Sequence, residues 1–185
     1  IGLTSGPLQV LVFGGSQGSQ AINSLVCEAL PFLSAESVKL AHQTGPADYS
    51  RVKRCYDSRG FPGEVVPFIS AMPGYFSRAD LIVSRSGAST VAEIAAAGRP
   101  SILIPFPYAA DDHQRKNALA LERQNAALVI EQDKATGRDL ATMLSSLGED
   151  RERLRTMAAA SRRVSRPDSV NRIAQVMDEL TTREH

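Results

Sequence analysis

The sequence predicts an α/β domain built on a doubly wound, parallel, six-stranded sheet, and three observations carry that prediction. Short apolar runs rich in β-branched residues recur along the chain, several apolar on both faces, as strands buried in a parallel sheet are. Helix-period stretches sit between them, and strand–helix alternation closes into such a sheet through right-handed crossovers. The first run ends in Gly14-Gly15-Ser16-Gln17-Gly18-Ser19, a glycine-rich turn where a strand passes into a helix.

Taken in order, the strands are read at Leu8–Phe13 (LQVLVF), Ser37–Ala41 (SVKLA), Glu64–Phe68 (EVVPF), Asp80–Val83 (DLIV), Ser101–Pro105 (SILIP) and Ala126–Ile130 (AALVI). The helices between them fall at about 20–33, 47–59, 71–78, 89–97 and 113–124. After Ile130 only helix patterns follow, over roughly 135–147, 149–163 and 168–181. Pro167 suits the first turn of the last one, where its missing N–H costs nothing. No internal repeat or low-complexity linker interrupts residues 1–185, which read as one domain carrying those closing helices.

Composition narrows the function classes. The 185 residues suffice for a proper core. Lys and Arg number 21 against 20 Asp and Glu, a net charge of +1, which excludes the basicity of a nucleic-acid binder. With no Trp and few aromatics, neither a base-stacking platform nor an aromatic carbohydrate cleft is expected. Cys27 and Cys55 sit in helix-like contexts without metal-ligand spacing, which suits inert thiols in a reducing compartment. No apolar run is long enough for a transmembrane helix, and no signal peptide is visible. The chain starts at Ile1 rather than Met, so a piece of a longer protein is expected.

In a doubly wound sheet, ligands bind beyond the carboxyl ends of the strands, which directs attention to loops 14–19, 42–46, 67–70, 84–90 and 105–117. Glycines in the first let backbone N–H groups approach an anion at a helix N-terminus, or simply make a tight turn. A dinucleotide fingerprint would need Gly at Ser16 and an acid where His42-Gln43 stand, and a Walker loop would need Lys after Gly18. His42 itself reads more simply as a hydrogen-bonded turn residue than as a catalyst. In RSGASTVAEIAAAGRP, residues 85–100, small residues precede a helix that carries Glu93 one turn inside. Thr90 and Glu93 have capping-box spacing, so Glu93 could merely satisfy backbone N–H groups. Alternatively, N–H groups of residues 87–90 face an oxyanion while Glu93 accepts from a vicinal diol, a charge-assisted pairing. Arg85 could balance phosphate charge or pair with an acid. In the last loop Asp112 reads as the N-cap residue, and Gln114 and Asn117 are three apart, so that both amides can face one cleft and suit sugar hydroxyls.

Together GGSQG (14–18), HQTG (42–45), FI (68–69), ADLIVSRSGASTVAEIAAAGRPSILIPFP (79–107) and DHQRKNA (112–118) resemble the MurG family of bacterial UDP-N-acetylglucosamine (UDP-GlcNAc) transferases. The resemblance is to the C-terminal, donor-binding half and runs over nearly the whole chain. It implies a Rossmann-like domain forming one half of a GT-B glycosyltransferase, the N-terminal acceptor domain lying outside this chain. It implies Ser16 on a phosphate, the Ile69 backbone on the uracil edge, Ala88, Ser89 and Thr90 around the diphosphate, and Glu93 on the ribose. Gln114, helped by His113 and Asn117, would hold the GlcNAc hydroxyls. Two positions depart from the family: Gln20 stands where a basic residue is frequent, and His113 where some members have Gln.

The family's reaction moves GlcNAc to a lipid-linked muramoyl-pentapeptide, with inversion and no covalent intermediate, in peptidoglycan synthesis. By implication this chain binds donor, is inactive alone, needs neither metal nor other cofactor, and holds no catalytic residue. The resemblance also implies a cytoplasmic protein, the full enzyme lying peripherally on the inner face of the membrane. Three other readings stay open on sequence: a separate donor-binding subunit of a two-component transferase, a non-catalytic nucleotide-sugar sensor, and a UDP-sugar epimerase. The arginines at 151, 153, 155, 162, 163 and 166 read as a solvated face that also packs toward the absent domain.

Overall fold

Alternation along the first strand, β1 (Leu8–Phe13), decides where the two helical layers lie. Leu8, Val10 and Val12 enter one core and Leu11 and Phe13 the other, so the strand is buried on both faces. The computed structural model describes residues 6–165. In it β1 is joined by β2 (Val38–Gln43), β3 (Gly63–Val66), β4 (Leu81–Ser84), β5 (Ser101–Leu103) and β6 (Ala127–Val129). All pairs are parallel, in the order β3-β2-β1-β4-β5-β6. The order reverses between β1 and β4, and at such a switch the adjoining loops splay apart and leave a crevice.

The helices are α1 (Gln20–Ala29), α2 (Tyr49–Arg59), α3 (Met72–Arg78), α4 (Ala88–Ala97), α5 (His113–Arg123), α6 (Gly137–Glu149) and α7 (Arg151–Val164). One core packs Ile22 and Val26 of α1, Val52 and Tyr56 of α2, and Leu140 and Leu144 of α6 on the sheet. The opposite core takes Phe76 of α3, Ile94 of α4 and Leu121 of α5. The first turn of α6 closes on α1 at Gly137, where a Cβ would lie 2.4 Å from the Glu28 carbonyl carbon, so only glycine fits. Its N-terminus carries a full capping box, Thr136 with Asp139.

The sequence boundaries shift by a few residues, with physical causes. β2 runs on through His42 and Gln43, paired with Val12 and Phe13, because these polar residues are buried rather than turned to solvent. β3 stops at Val66, since Pro67 cannot donate to the ladder. The arginines of α7 are not simply a solvated face. Arg151 pairs with buried Asp80 at 3.4 Å, and the stem of Arg162 lies against Gly98, tying α7 to the domain. The helix expected over 168–181, with Arg166 and Pro167, lies outside the described residues. Among the described residues no helix is long and apolar enough to cross a membrane.

Candidate functional site

The first loop is held in place by close backbone contacts. Gly18 (φ +78°) and Gly45 (φ +79°) pack backbone to backbone: a Cβ on Gly18 would lie 2.0 Å from the Thr44 carbonyl oxygen. Ser19 caps α1, its Oγ accepting from the Ile22 N–H at 3.4 Å. Ser16 and Gln17, at the apex, are exposed.

Beneath this loop lies a polar cluster that sequence reading does not reveal. His42 is fully buried, its Nδ1 at 3.1 Å from the Tyr56 hydroxyl and its Nε2 at 2.9 Å from Asn23 Oδ1. Burial lowers its pKa to about 3, so it is a neutral structural residue, as the plainer reading had it, although it stands in a strand rather than a turn. Asn23 in turn donates to the Thr44 carbonyl at 2.9 Å and to Asp48 at 2.7 Å. Arg51, bonded at 2.7 Å, holds the Asp48 carboxyl below the usual carboxylate range. Thus the second loop is fixed from below. Cys27 lies nearby with its thiol pKa pushed up to about 12 by burial, which makes it a poor nucleophile.

The geometry at 84–90 settles the capping question. α4 begins at Ala88 with Gly87 as its N-cap, so Thr90 lies inside the helix and no side chain caps this end. The capping box does not form. Glu93 is exposed, and none of the described hydrogen bonds engages the N–H groups of Ala88, Ser89 or Thr90. Such an end carries partial positive charge and free donors, the equipment of an anion site.

Among the described residues Arg85 pairs with no acid. Its guanidinium donates to the carbonyls of Ile104 and Pro105 at 2.9 and 3.1 Å, to Ser19 Oγ at 2.9 Å and to Gln132 Oε1 at 2.7 Å. Burial lowers its pKa below the ordinary arginine value. The side chain therefore staples the first loop to the end of β5 while keeping a cation close to the switch point, with Phe106 5.4 Å away across its face.

Two left-handed residues, Asp111 (φ 50°) and Asp112 (φ 54°), turn the chain into α5. Asp112 occupies the N-cap position but makes no capping bond, contrary to the sequence expectation. The two amides behave differently as well. Gln114 Oε1 accepts from the Phe106 N–H at 3.0 Å, which leaves its NH2 group to donate. Asn117 donates to the Ser86 carbonyl at 3.0 Å, and Ser86 Oγ to the Gln114 carbonyl at 2.8 Å, so Asn117 braces the 84–90 loop rather than facing a cleft with Gln114. Exposed His113 has Nδ1 2.7 Å from the Ala110 carbonyl, which fixes the proton there and leaves Nε2 as the acceptor.

Arg85 and Gln114 line one recess and Glu93 another. A recess of about 380 Å³ is lined by Gly14, Gly18, Ser19, Arg85, Phe106, Gln114 and Gln132. A groove of about 440 Å³ between α3 and α4 is lined by Met72, Pro73, Phe76 and Glu93 among others. In the chain the free first turn of α4 falls between Arg85 of the recess and Glu93 of the groove. Ile69, in the loop leading to that groove, is buried, and its N–H donates to Gln43 Oε1 at 2.8 Å, so its amide is not available to a ligand as it stands. Groove, first turn of α4 and recess are thus three separate stations. A third groove of about 370 Å³, over Gln9, Lys39, Glu64 and Arg78, lies toward the strands' amino ends, and none of the sequence-predicted residues lines it.

Comparison with known proteins identifies the family and the fold. Residues 9–173 match the model of the glycosyltransferase family 28 C-terminal domain. The UDP-N-acetylglucosamine–N-acetylmuramyl-(pentapeptide) pyrophosphoryl-undecaprenol N-acetylglucosamine transferase of Solibacter usitatus is 43% identical over 175 residues, 94% of this chain and 48% of the relative. Its counterpart from Syntrophotalea carbinolica is 44% identical over 171 residues, covering 91% and 48%. The chain therefore spans about half the length of these relatives. Among solved structures, Acinetobacter baumannii MurG superposes with a TM-score of 0.87 at 32% identity, over 94% of this chain and 52% of that one. Fold, relatives and family model agree, and the chain belongs to the glycosyltransferase family 28 C-terminal domain family.

Proposed function

We propose that this domain binds UDP-GlcNAc along the carboxyl edge of its sheet and presents it for transfer within a two-domain GT-B enzyme. One observation carries the reading: in the chain the uncapped first turn of α4 falls between Arg85, which lines the amide-bearing recess, and Glu93, which lines the groove beside α3. The ligand that suits this order has a diol at one end, a diphosphate in the middle and a polar hexose at the other. Glu93 takes the ribose hydroxyls. The N–H groups of Ala88, Ser89 and Thr90 take the diphosphate, with Ser16 on a phosphate oxygen and Arg85 supplying charge from behind. Gln114, with His113, takes the GlcNAc hydroxyls, and Asn117 holds the loop on which that contact depends. The backbone at Ile69, its N–H held by Gln43, meets the uracil edge through a carbonyl.

Transfer to the lipid-linked muramoyl-pentapeptide, lipid I to lipid II, then follows without a covalent intermediate. A base on the acceptor side takes the hydroxyl proton while negative charge grows on the departing UDP. The α4 N-terminus and Arg85 stabilise that charge where it develops. The base belongs to the acceptor domain, so the chain alone binds and does not catalyse. The whole enzyme works in the cytoplasm, peripherally on the inner face of the membrane, where its acceptor is embedded.

Isothermal titration of the chain tests the reading. Saturable heat is expected with UDP and UDP-GlcNAc, with ADP much weaker, and lipid I should be glycosylated only when an acceptor domain is supplied. Absence of heat from both uridine ligands, or equal binding of ADP, would refute it.

A further inference from the structure

We infer that Gln43 is a positioning residue that couples the phosphate-side loop to the base-side loop, so that engaging one end of the donor sets the other. The inference rests on the donor-site reading but adds a residue and an energetic link that the reading does not contain.

Gln43 closes β2, in register with Phe13 of β1 and Val66 of β3, and its residue is 1% exposed. Its Nε2 donates to the Gly15 carbonyl at 3.0 Å, and its Oε1 accepts from the Ile69 N–H at 2.8 Å. The amide can sit only this way round, because a carbonyl only accepts and a backbone N–H only donates. One buried side chain therefore spans two loops 54 residues apart, at Gly15 and Ile69.

Peptide planarity turns this bridge into a device for aiming groups. In a trans peptide the C=O and N–H point in opposite directions. Drawing the Gly15 carbonyl to Gln43 directs the N–H of exposed Ser16, the other half of that peptide, away from it. Drawing the Ile69 N–H inward likewise directs the Phe68 carbonyl away. None of the described hydrogen bonds uses the Ser16 N–H or the Phe68 carbonyl. One loop thus offers a donor, which suits a phosphate, and the other an acceptor, which suits the imide N–H of a uracil. A shift in either loop is felt through the shared amide, and such coupling is reciprocal.

Probes for each end separate the coupling from plain structure. Uridine and inorganic pyrophosphate are titrated separately into the isotopically labelled chain, and the Ser16 and Ile69 amide resonances are followed. In the unaltered chain uridine shifts Ile69 and also Ser16, and pyrophosphate shifts Ser16 and also Ile69. In Gln43→Leu each probe still shifts its own loop, the remote shifts vanish, and UDP binds roughly tenfold more weakly. Gln43→Glu, which retains the acceptor for Ile69 and sets an oxygen against the Gly15 carbonyl, loses the remote shifts too. Local shifts without remote ones in the unaltered chain, or remote shifts that persist in both variants, overturn the coupling alone. Silence of both loops toward uridine, pyrophosphate and UDP overturns the donor-site reading and this inference with it.

Discussion

Glu93 and Arg85 both carry charge near the carboxyl end of the sheet, yet they are built into the fold differently. Glu93 is exposed and takes part in no capping box, so little of the fold depends on its carboxylate. Glu93→Gln should leave stability within about 0.5 kcal/mol, as surface changes do. It should weaken UDP binding by about 1.5–3 kcal/mol, the worth of a charge-assisted hydrogen bond. Calorimetry with UDP and 2′-deoxy-UDP checks this: the penalty for removing the 2′-hydroxyl from the ligand should shrink in the variant. Arg85 instead donates to four oxygens in three separate segments. Arg85→Lys offers a single ammonium that cannot reproduce that fork. It should cost about 1–3 kcal/mol of stability by leaving carbonyls unpaired, read as a lower urea midpoint, and should weaken UDP as well.

At the scale of elements, the glycine-rich turn separates two kinds of glycine. Gly15 and Gly18 both have positive φ, but a Cβ at Gly15 meets nothing within 4 Å, whereas one at Gly18 meets the Thr44 backbone at 2.0 Å. Gly15→Ala should therefore cost about 1 kcal/mol, the ordinary left-handed penalty. Gly18→Ala should cost about 3 kcal/mol or more, since two backbones must part, which overpacking data set as the scale. Thermal denaturation of both variants decides the point. The turn's place between strand and helix was legible from GGSQG; its dependence on Thr44 was not, because that contact joins residues far apart in sequence. The same holds for helix starts. The T-x-x-E spacing at Thr90 and Glu93 allowed a cap, but the helix begins two residues before Thr90, at Ala88, where free N–H groups result. Gln114 could be picked out as an amide at a helix start, whereas the diversion of Asn117 to the Ser86 carbonyl depends on how two loops meet.

The whole molecule follows from burial on both faces of a parallel sheet, which is why every strand could be located from its apolar run. What the apolar pattern could not show is the polar interior beneath the site: His42, Asn23 and Gln43 are buried, and polarity ordinarily marks a loop. That interior makes stability depend on pH. His42 is neutral in the fold, with a pKa lowered to about 3 from an ordinary 6.5, so between those values the unfolded chain binds a proton that the native one does not. Stability from this residue is fully present above pH 6.5 and is lost as pH falls toward 3, by about 1.4 kcal/mol per pH unit within the window. Urea titrations at pH 7.5 and 5.5 should differ by about that amount, and His42→Asn, less stable at pH 7.5, should show a flatter dependence over the same interval.

The central claim, that three separate strand-end stations serve one extended donor, is tested most directly by a crystal structure of the chain with UDP-GlcNAc. The account predicts ribose at Glu93, diphosphate over Ala88–Thr90 and the hexose beside Gln114, in one continuous ligand. A nucleotide sugar seated in the groove over Lys39 and Arg78, or bound without contact to α4, would contradict it.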